Sequence, residues 1–235
     1  MSAGVGEFSA DLGRSSSAAG FSIVVAMDKN RGIGNKGDLP WPKLKGDMKF
    51  FRELTTCPDR AAVEKRWGLK PEESAETKTW DDVSAMLKFA HPLPAASDDK
   101  RNAVLMGRKT WESLPTSFRP LLDRRNGVFS KANFNGAAFS NENGIVVDAW
   151  QNLETALLNL GRDSKIQIIH VIGGGQIFKT AVRNSSCAYL YITQIDAGFE
   201  CDTFFPETPG FAPALSSPWI EEKGIRYRFR RSDRV

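Results

Sequence analysis

Three linked pieces decide the fold: Phe21-Ser-Ile-Val-Val-Ala-Met27, Arg31-Gly-Ile-Gly-Asn-Lys-Gly-Asp-Leu-Pro-Trp-Pro42 and Gly46-Asp-Met-Lys-Phe-Phe-Arg-Glu-Leu-Thr-Thr56. The first is a short apolar run rich in β-branched residues and bounded by polar ones, which reads as a buried strand. The second packs three glycines, two prolines and a tryptophan into twelve residues, a loop that needs special backbone angles. In the third, Asp47, Phe50, Phe51 and Leu54 recur at helical spacing, so one helix face carries a carboxylate among aromatics.

An aspartate on a helix is most often a solvated charge. Asp47, however, follows a rigid Leu39-Pro-Trp41 and lies one turn before Phe51. A carboxylate in an apolar pocket needs a cationic or hydrogen-bond-donating partner. A flat, guanidine-like ring suits it, because two ligand donors match two carboxylate oxygens.

With Gly32-Ile-Gly-Asn35, Leu39-Pro-Trp41, Asp47 and Phe51, the chain resembles the dihydrofolate reductase family. The resemblance continues through Val104-Leu-Met-Gly-Arg-Lys-Thr-Trp-Glu-Ser-Leu-Pro115, Arg119-Pro-Leu121, Ile172-Gly-Gly-Gly175 and Asp202-Thr-Phe-Phe-Pro206. It ends at Glu221-Glu-Lys-Gly-Ile-Arg-Tyr-Arg-Phe229, which looks like the family's last strand. No single motif is decisive, but five in family order are very specific.

Length and composition agree with one sizeable domain. The chain has 235 residues, 41% apolar and 26% charged, enough for a full core with a polar surface. No apolar run approaches the roughly eighteen residues of a membrane helix. A net charge of +4, spread along the chain, is weak for nucleic acid and suits a small anionic substrate. Cys57, Cys187 and Cys201 are odd in number, with no CxxC or zinc spacing. They read as reduced thiols, which places the protein in the cytoplasm with no metal site. Residues 1–20 are small and polar and read as a flexible segment. They lack the apolar core of a secretory signal, and one arginine with two acids argues against a mitochondrial transit peptide.

Residues 21–235 then read as a single domain, interrupted by an insertion at about 57–100. A structureless loop of that length is unusual in a compact domain. Two short helices are expected in it, at residues 60–67 and 80–89, the second with Asp81 and Asp82 in its first turn. The expectation is a tolerated surface excursion, removable at small cost because loop length acts only logarithmically. A docking element is the other reading. Such insertions occur in protozoan relatives, where the reductase is often fused to thymidylate synthase.

Beyond the insertion, strands are expected at residues 102–106, 126–131, 145–147, 166–172, 189–195 and 219–231, and helices after Gly107, over 153–160 with Gly161 as C-cap, and over 176–181. This order implies an α/β fold like that of dihydrofolate reductase. It has a mostly parallel twisted central sheet, an antiparallel C-terminal edge strand and helices on both faces. Gly127 stands where an aliphatic residue is expected and weakens its strand. His170 reads as a core histidine.

The resemblance implies NADPH-dependent reduction of 7,8-dihydrofolate to tetrahydrofolate, by hydride transfer to pterin C6 with protonation at N5 through water. Asp47 would bind the pterin, with Thr193 assisting through an ordered water and Trp41 covering the pocket. Val24, Val25 and Ile172 would edge the pterin; Met48, Phe51, Leu114 and Leu121 would line the cleft; Arg124 would hold the glutamate-tail carboxylate. Ala26, Ile33 and Gly34 would surround the nicotinamide. The helix start at Gly107, Arg108, Lys109 and Thr110, and the turn Gly173, Gly174, Gly175, Gln176 and Ile177, would meet the cofactor phosphates. Phe178 would stand near the nicotinamide where many relatives carry tyrosine. Arg108, Ser130 and Lys131 would take the adenosine 2′-phosphate. The first two glycines of Gly173–Gly175 would form a cis peptide. Dihydrofolate and antifolate inhibitors are the implied ligands. A riboflavin-pathway reductase of similar fold and a non-catalytic pterin- or nucleotide-binding module are the alternatives.

Overall fold

The computed structural model describes residues 20–71, 75–90, 92–95, 100–130, 139–140 and 146–235. The expected flexible start falls outside them, apart from Gly20.

The apolar run forms β1 (Phe21–Met27), and the glycine loop contributes β2 (Gly32–Gly34) before α1 (Lys45–Thr56). Next come α2 (Arg60–Arg66), β3 (Thr77–Thr79) and α3 (Trp80–Phe89), all within the insertion. The second motif block gives β4 (Arg101–Gly107), α4 (Arg108–Ser113) and β5 (Arg124–Phe129). They are followed by β6 (Phe139–Ser140), β7 (Val146–Trp150), α5 (Leu153–Arg162), β8 (Ile166–Gly173) and α6 (Gly175–Arg183). The chain closes through β9 (Cys187–Ile195), β10 (Thr203–Phe204), β11 (Phe211–Ser216), β12 (Trp219–Glu222) and β13 (Ile225–Arg234).

Eleven described strands form one sheet, in the order β3-β12-β13-β9-β1-β8-β4-β5-β7-β6 with β11 also on β13; β2 and β10 pair separately. The run from β9 to β7 is parallel, and β13 joins β9 antiparallel. Strands buried on both faces need not alternate in polarity, which is why β1 and β4 read as unbroken apolar runs. Successive side chains still point to opposite faces. Phe21, Ile23 and Val25 therefore join one core with α5 and α6, while Val24 joins the other with Phe50 and Leu54 of α1. No helix among the described residues is long and apolar enough to cross a membrane.

The fold class is the expected one, with two local differences. The segment 219–231 is a hairpin rather than one strand. Lys223 (φ 55°) and Gly224 (φ 71°) form its two-residue turn, both left-handed as a type I′ turn requires. At this antiparallel end of the sheet, β11 and β12 pair with β13, and β3 pairs with β12. Finally, α5 continues through Gly161 to Arg162, with Asp163 as its C-cap.

The insertion is not a surface excursion. Val63 is 0% exposed and Trp67 3%, with Leu69, Val83 and Leu87 also buried in the α1-side core. Trp67 meets both rings of the Phe50–Phe229 stack edge-on, and its Nε1 donates to Glu53 Oε2 of α1 at 2.7 Å. Tyr191 of β9 donates its hydroxyl to the buried Glu64, which also receives Arg231. Apolar residues at helical spacing on two short helices gave these elements a face to bury, and α1 and β13 receive it. Gly127 also has a reason: a side chain there would place Cβ 2.5 Å from Leu105 Cδ2 and 3.1 Å from Trp150 Nε1.

Candidate active site

Helix α1 aims Asp47 inward from its first turn, leaving it 8% exposed. Thr193, in register with Ala26 on the adjacent strand, donates its hydroxyl to Asp47 Oδ1 at 2.7 Å. The contact is direct, where the resemblance implied an intervening water. Burial pushes the Asp47 carboxyl up to about 6, against the Thr193 hydrogen bond, which lowers it; the charge of Glu222 raises it further.

Trp41 is buried with its ring edge-on to Phe199, and its Nε1 has no protein partner among the described residues. The loop that carries Trp41 is tied at its base by Asp28. That buried carboxylate accepts from the backbone N–H groups of Asn30, Gly32 and Phe199. Sequence reasoning missed Asp28, since nothing in its neighbourhood marks it as buried.

Outward from Asp47, an apolar patch joins α1 to the segment after α4. Phe51, Leu114 and Ile172 are partly buried against the cluster of Val104, Met106 and Leu121, and Met48 is exposed. Beyond Phe51 lies Arg124, 7% exposed, its guanidinium 5.8 Å from the Phe51 ring. Arg124 donates to the Thr55 hydroxyl and the Leu122 carbonyl, neither of them an acid. Burial lowers the Arg124 guanidinium to about 10, opposed by Asp123 and assisted by Arg52. A buried cation without an acidic partner among its hydrogen bonds is suited to an anion.

On the other side of the sheet's carboxyl end, two helix starts meet. Neither Gly107 before α4 nor Gly174 before α6 supplies a side-chain cap. The Gly173–Gly174 peptide is cis, as the resemblance implied. A side chain at Gly173 would come within 2.7 Å of Thr110 Oγ1, and one at Gly175 within 3.1 Å of Thr203 Cγ2. The uncapped starts of the two helices lie side by side, with no room for a Cβ at Gly173. This chemistry fits phosphate. Ala26, Ile33, Gly34 and Ile177 are partly exposed; Arg108, Lys109 and Gln176 are exposed, with Arg108 paired to Glu112 at 2.7 Å. Ser130 is buried at the end of β5, and Lys131 lies outside the described residues.

Two expected site residues are elsewhere. Val25 faces the α5–α6 core, opposite Asp47, because strand residues alternate. Phe178 is 2% exposed and packs edge-on against Phe205, on the sheet-facing side of α6, so its ring belongs to that core rather than to a ligand. His170 is fully buried, its Nδ1 bonded to the Ser22 hydroxyl at 2.7 Å, and burial holds its imidazole down at about 3, which fits a core histidine. Glu222, a second buried carboxylate beside Asp47, was not anticipated, although alternation from Ile220 carries it inward.

The family model for dihydrofolate reductase matches residues 20–59 and 98–231. The chain is 32% identical over 219 residues to the dihydrofolate reductase of Mus musculus, covering 88% of this chain and 94% of that protein. It is 32% identical over 224 residues to a viral dihydrofolate reductase of Saimiriine herpesvirus 2 (strain 488), covering 91% and 84%. It is also 34% identical over 220 residues to bifunctional dihydrofolate reductase-thymidylate synthase 2 of Arabidopsis thaliana. That match covers 92% of this chain, which spans about a third of the bifunctional protein's length, 32%. With the motifs and both comparisons in agreement, the chain belongs to the dihydrofolate reductase family.

Proposed function

We propose that this protein catalyses the NADPH-dependent reduction of 7,8-dihydrofolate to 5,6,7,8-tetrahydrofolate. The observation that carries the reading is the buried Asp47–Thr193 pair on the same helix face as Phe51, beyond which the buried Arg124 lies without an acidic partner among its hydrogen bonds. A pterin offers Asp47 two ring-edge donors, and their hydrogen bonds favour its ionised form. Trp41 covers the ring, and its free indole N–H holds a water beside Asp47. Met48, Phe51, Leu114 and Leu121 enclose the middle of the substrate, with Val24 and Ile172 at the pterin edge. Arg124 takes the tail carboxylate.

The two glycine-rich helix starts and Thr110 bind the pyrophosphate, and Arg108 with Ser130 takes the 2′-phosphate. NADPH, once bound, supplies the hydride. The chain's own part is to orient the two rings and exclude bulk water. Asp47 does not reach N5; it polarises the pterin, and N5 takes its proton from water. We read residues 21–235 as one reductase domain with the insertion built in, acting in the reducing environment of the cytoplasm, where free Cys57, Cys187 and Cys201 persist.

The test is loss of the reduced-nicotinamide absorbance on mixing purified protein, NADPH and dihydrofolate. Oxidation that depends on dihydrofolate supports the reading. Binding of both ligands without oxidation defeats it in favour of a binding module.

A further inference from the structure

Glu222 is 6% exposed, and the proposed reaction makes no use of it. The residue that precedes α1, Leu44, has no side-chain cap. A helix start leaves backbone N–H groups unsatisfied. Glu222 reaches two of them from the far end of the chain: its Oε1 accepts from the Lys45 N–H at 2.8 Å and its Oε2 from the Gly46 N–H at 3.1 Å. The Tyr227 hydroxyl donates to the same Oε2 at 3.2 Å. Gly46 has no room for a side chain, since the Tyr227 hydroxyl and the Trp80 ring of α3 close on it. The next residue is Asp47.

We propose that Glu222 is a positioning residue for Asp47: it pins the first turn of α1 to the β12–β13 hairpin and places a negative charge beside the carboxylate that receives the substrate. The proposal rests on the role given to Asp47 above. The insertion takes part, because β3 pairs with β12 along its outer side and Trp80 abuts Gly46.

Carboxylates near a helix N-terminus are favoured by its dipole. Two of them close together oppose each other's ionisation. Thr193 from β9 and Glu222 from β12 act on Asp47, and Glu222 and Asp47 together oppose ionisation of the Tyr227 phenol on β13. Lys223, at the hairpin tip, directs its ammonium to the Lys43 carbonyl at 2.7 Å. Burial is the main reason Asp47 resists ionisation, and Glu222 adds to it against Thr193.

The experiment is a ¹³C-carboxyl NMR titration of Asp47 in the ligand-free full chain, with the signal assigned by its loss in Asp47→Asn. In Glu222→Gln, which keeps size and one acceptor oxygen, the Asp47 midpoint falls by about half a pH unit or more. Exchange of the Lys45 and Gly46 amides speeds by roughly tenfold. An unmoved midpoint in folded Glu222→Gln overturns the proposal. If that variant does not fold, Glu222→Asp carries the test: the shorter side chain keeps the charge but draws its oxygens back from the Lys45 and Gly46 amides, so the two amides exchange faster, and unchanged exchange overturns the proposal. Neither readout needs turnover. A chain without reductase activity whose midpoint still moves defeats the reductase reading and leaves this coupling standing.

Discussion

Replacing Asp47 by Asn should make the ligand-free protein more stable and nearly inactive, and the stability gain should depend on pH. In the folded chain Asp47 holds its proton to about pH 6, against an ordinary 3.8. Between those values the folded state binds more protons than the unfolded one, so wild-type stability falls as pH rises. The penalty is absent below about pH 4 and complete above about pH 6. A shift of about two pH units corresponds to about 3 kcal/mol. In a chain of this size each kcal/mol moves Tm by about 2–4 °C. Asn cannot titrate, and its amide oxygen still accepts from Thr193. Asp47→Asn should therefore melt roughly 6–12 °C above wild type at pH 7.5, with the difference vanishing near pH 4. Turnover with dihydrofolate should drop about 10²–10⁴-fold. Differential scanning calorimetry across pH 4–8, with steady-state kinetics at pH 7, checks both. A Tm difference that stays flat with pH refutes the argument that burial of an ionisable Asp47 stresses the fold, and wild-type turnover refutes its role at the pterin.

Four further outcomes are expected. Trp67→Ala removes a buried indole and its bond to Glu53, which costs about 3–5 kcal/mol and lowers Tm by roughly 6–20 °C; a shift of only a degree or two would restore the picture of a dispensable insertion. Arg124→Gln should raise KM for dihydrofolate by about tenfold or more, as loss of a charged hydrogen bond does, while a pterin substrate lacking the tail carboxylate shows no change; equal effects on both substrates place Arg124 away from the tail. Arg108→Ala should narrow the preference for NADPH over NADH by about tenfold, measured as the ratio of kcat/KM values; an unmoved ratio removes Arg108 from the 2′-phosphate. Gly127→Ala should destabilise by about 1–3 kcal/mol through overpacking on Leu105 and Trp150, visible as a lower Tm with normal kinetics.

The sequence alone determined the order of elements and the family, and it singled out the residues of the candidate site, because those signals are local. A glycine run marks where backbone must approach a partner closely, an apolar run with β-branched residues marks a strand buried on both faces, and Asp47 among aromatics marks an inward carboxylate. The periodicity of the insertion even placed α2 and α3. What those helices are for was decided only by packing: the same apolar face serves a docking surface or a core, and it became core because Phe50 and Phe229 present a stack that Trp67 closes. Phe178 and Val25 went the same way. A motif position says which residue is near a ligand, but the side-chain direction set by strand alternation or helix phase sent both rings and methyls into the α5–α6 core. Glu222 stands 175 residues after Asp47 in the chain. No local pattern joins them; β13 beside β9, with β12 folded back over it, brings the second carboxylate to the start of α1, where it opposes the ionisation of Asp47.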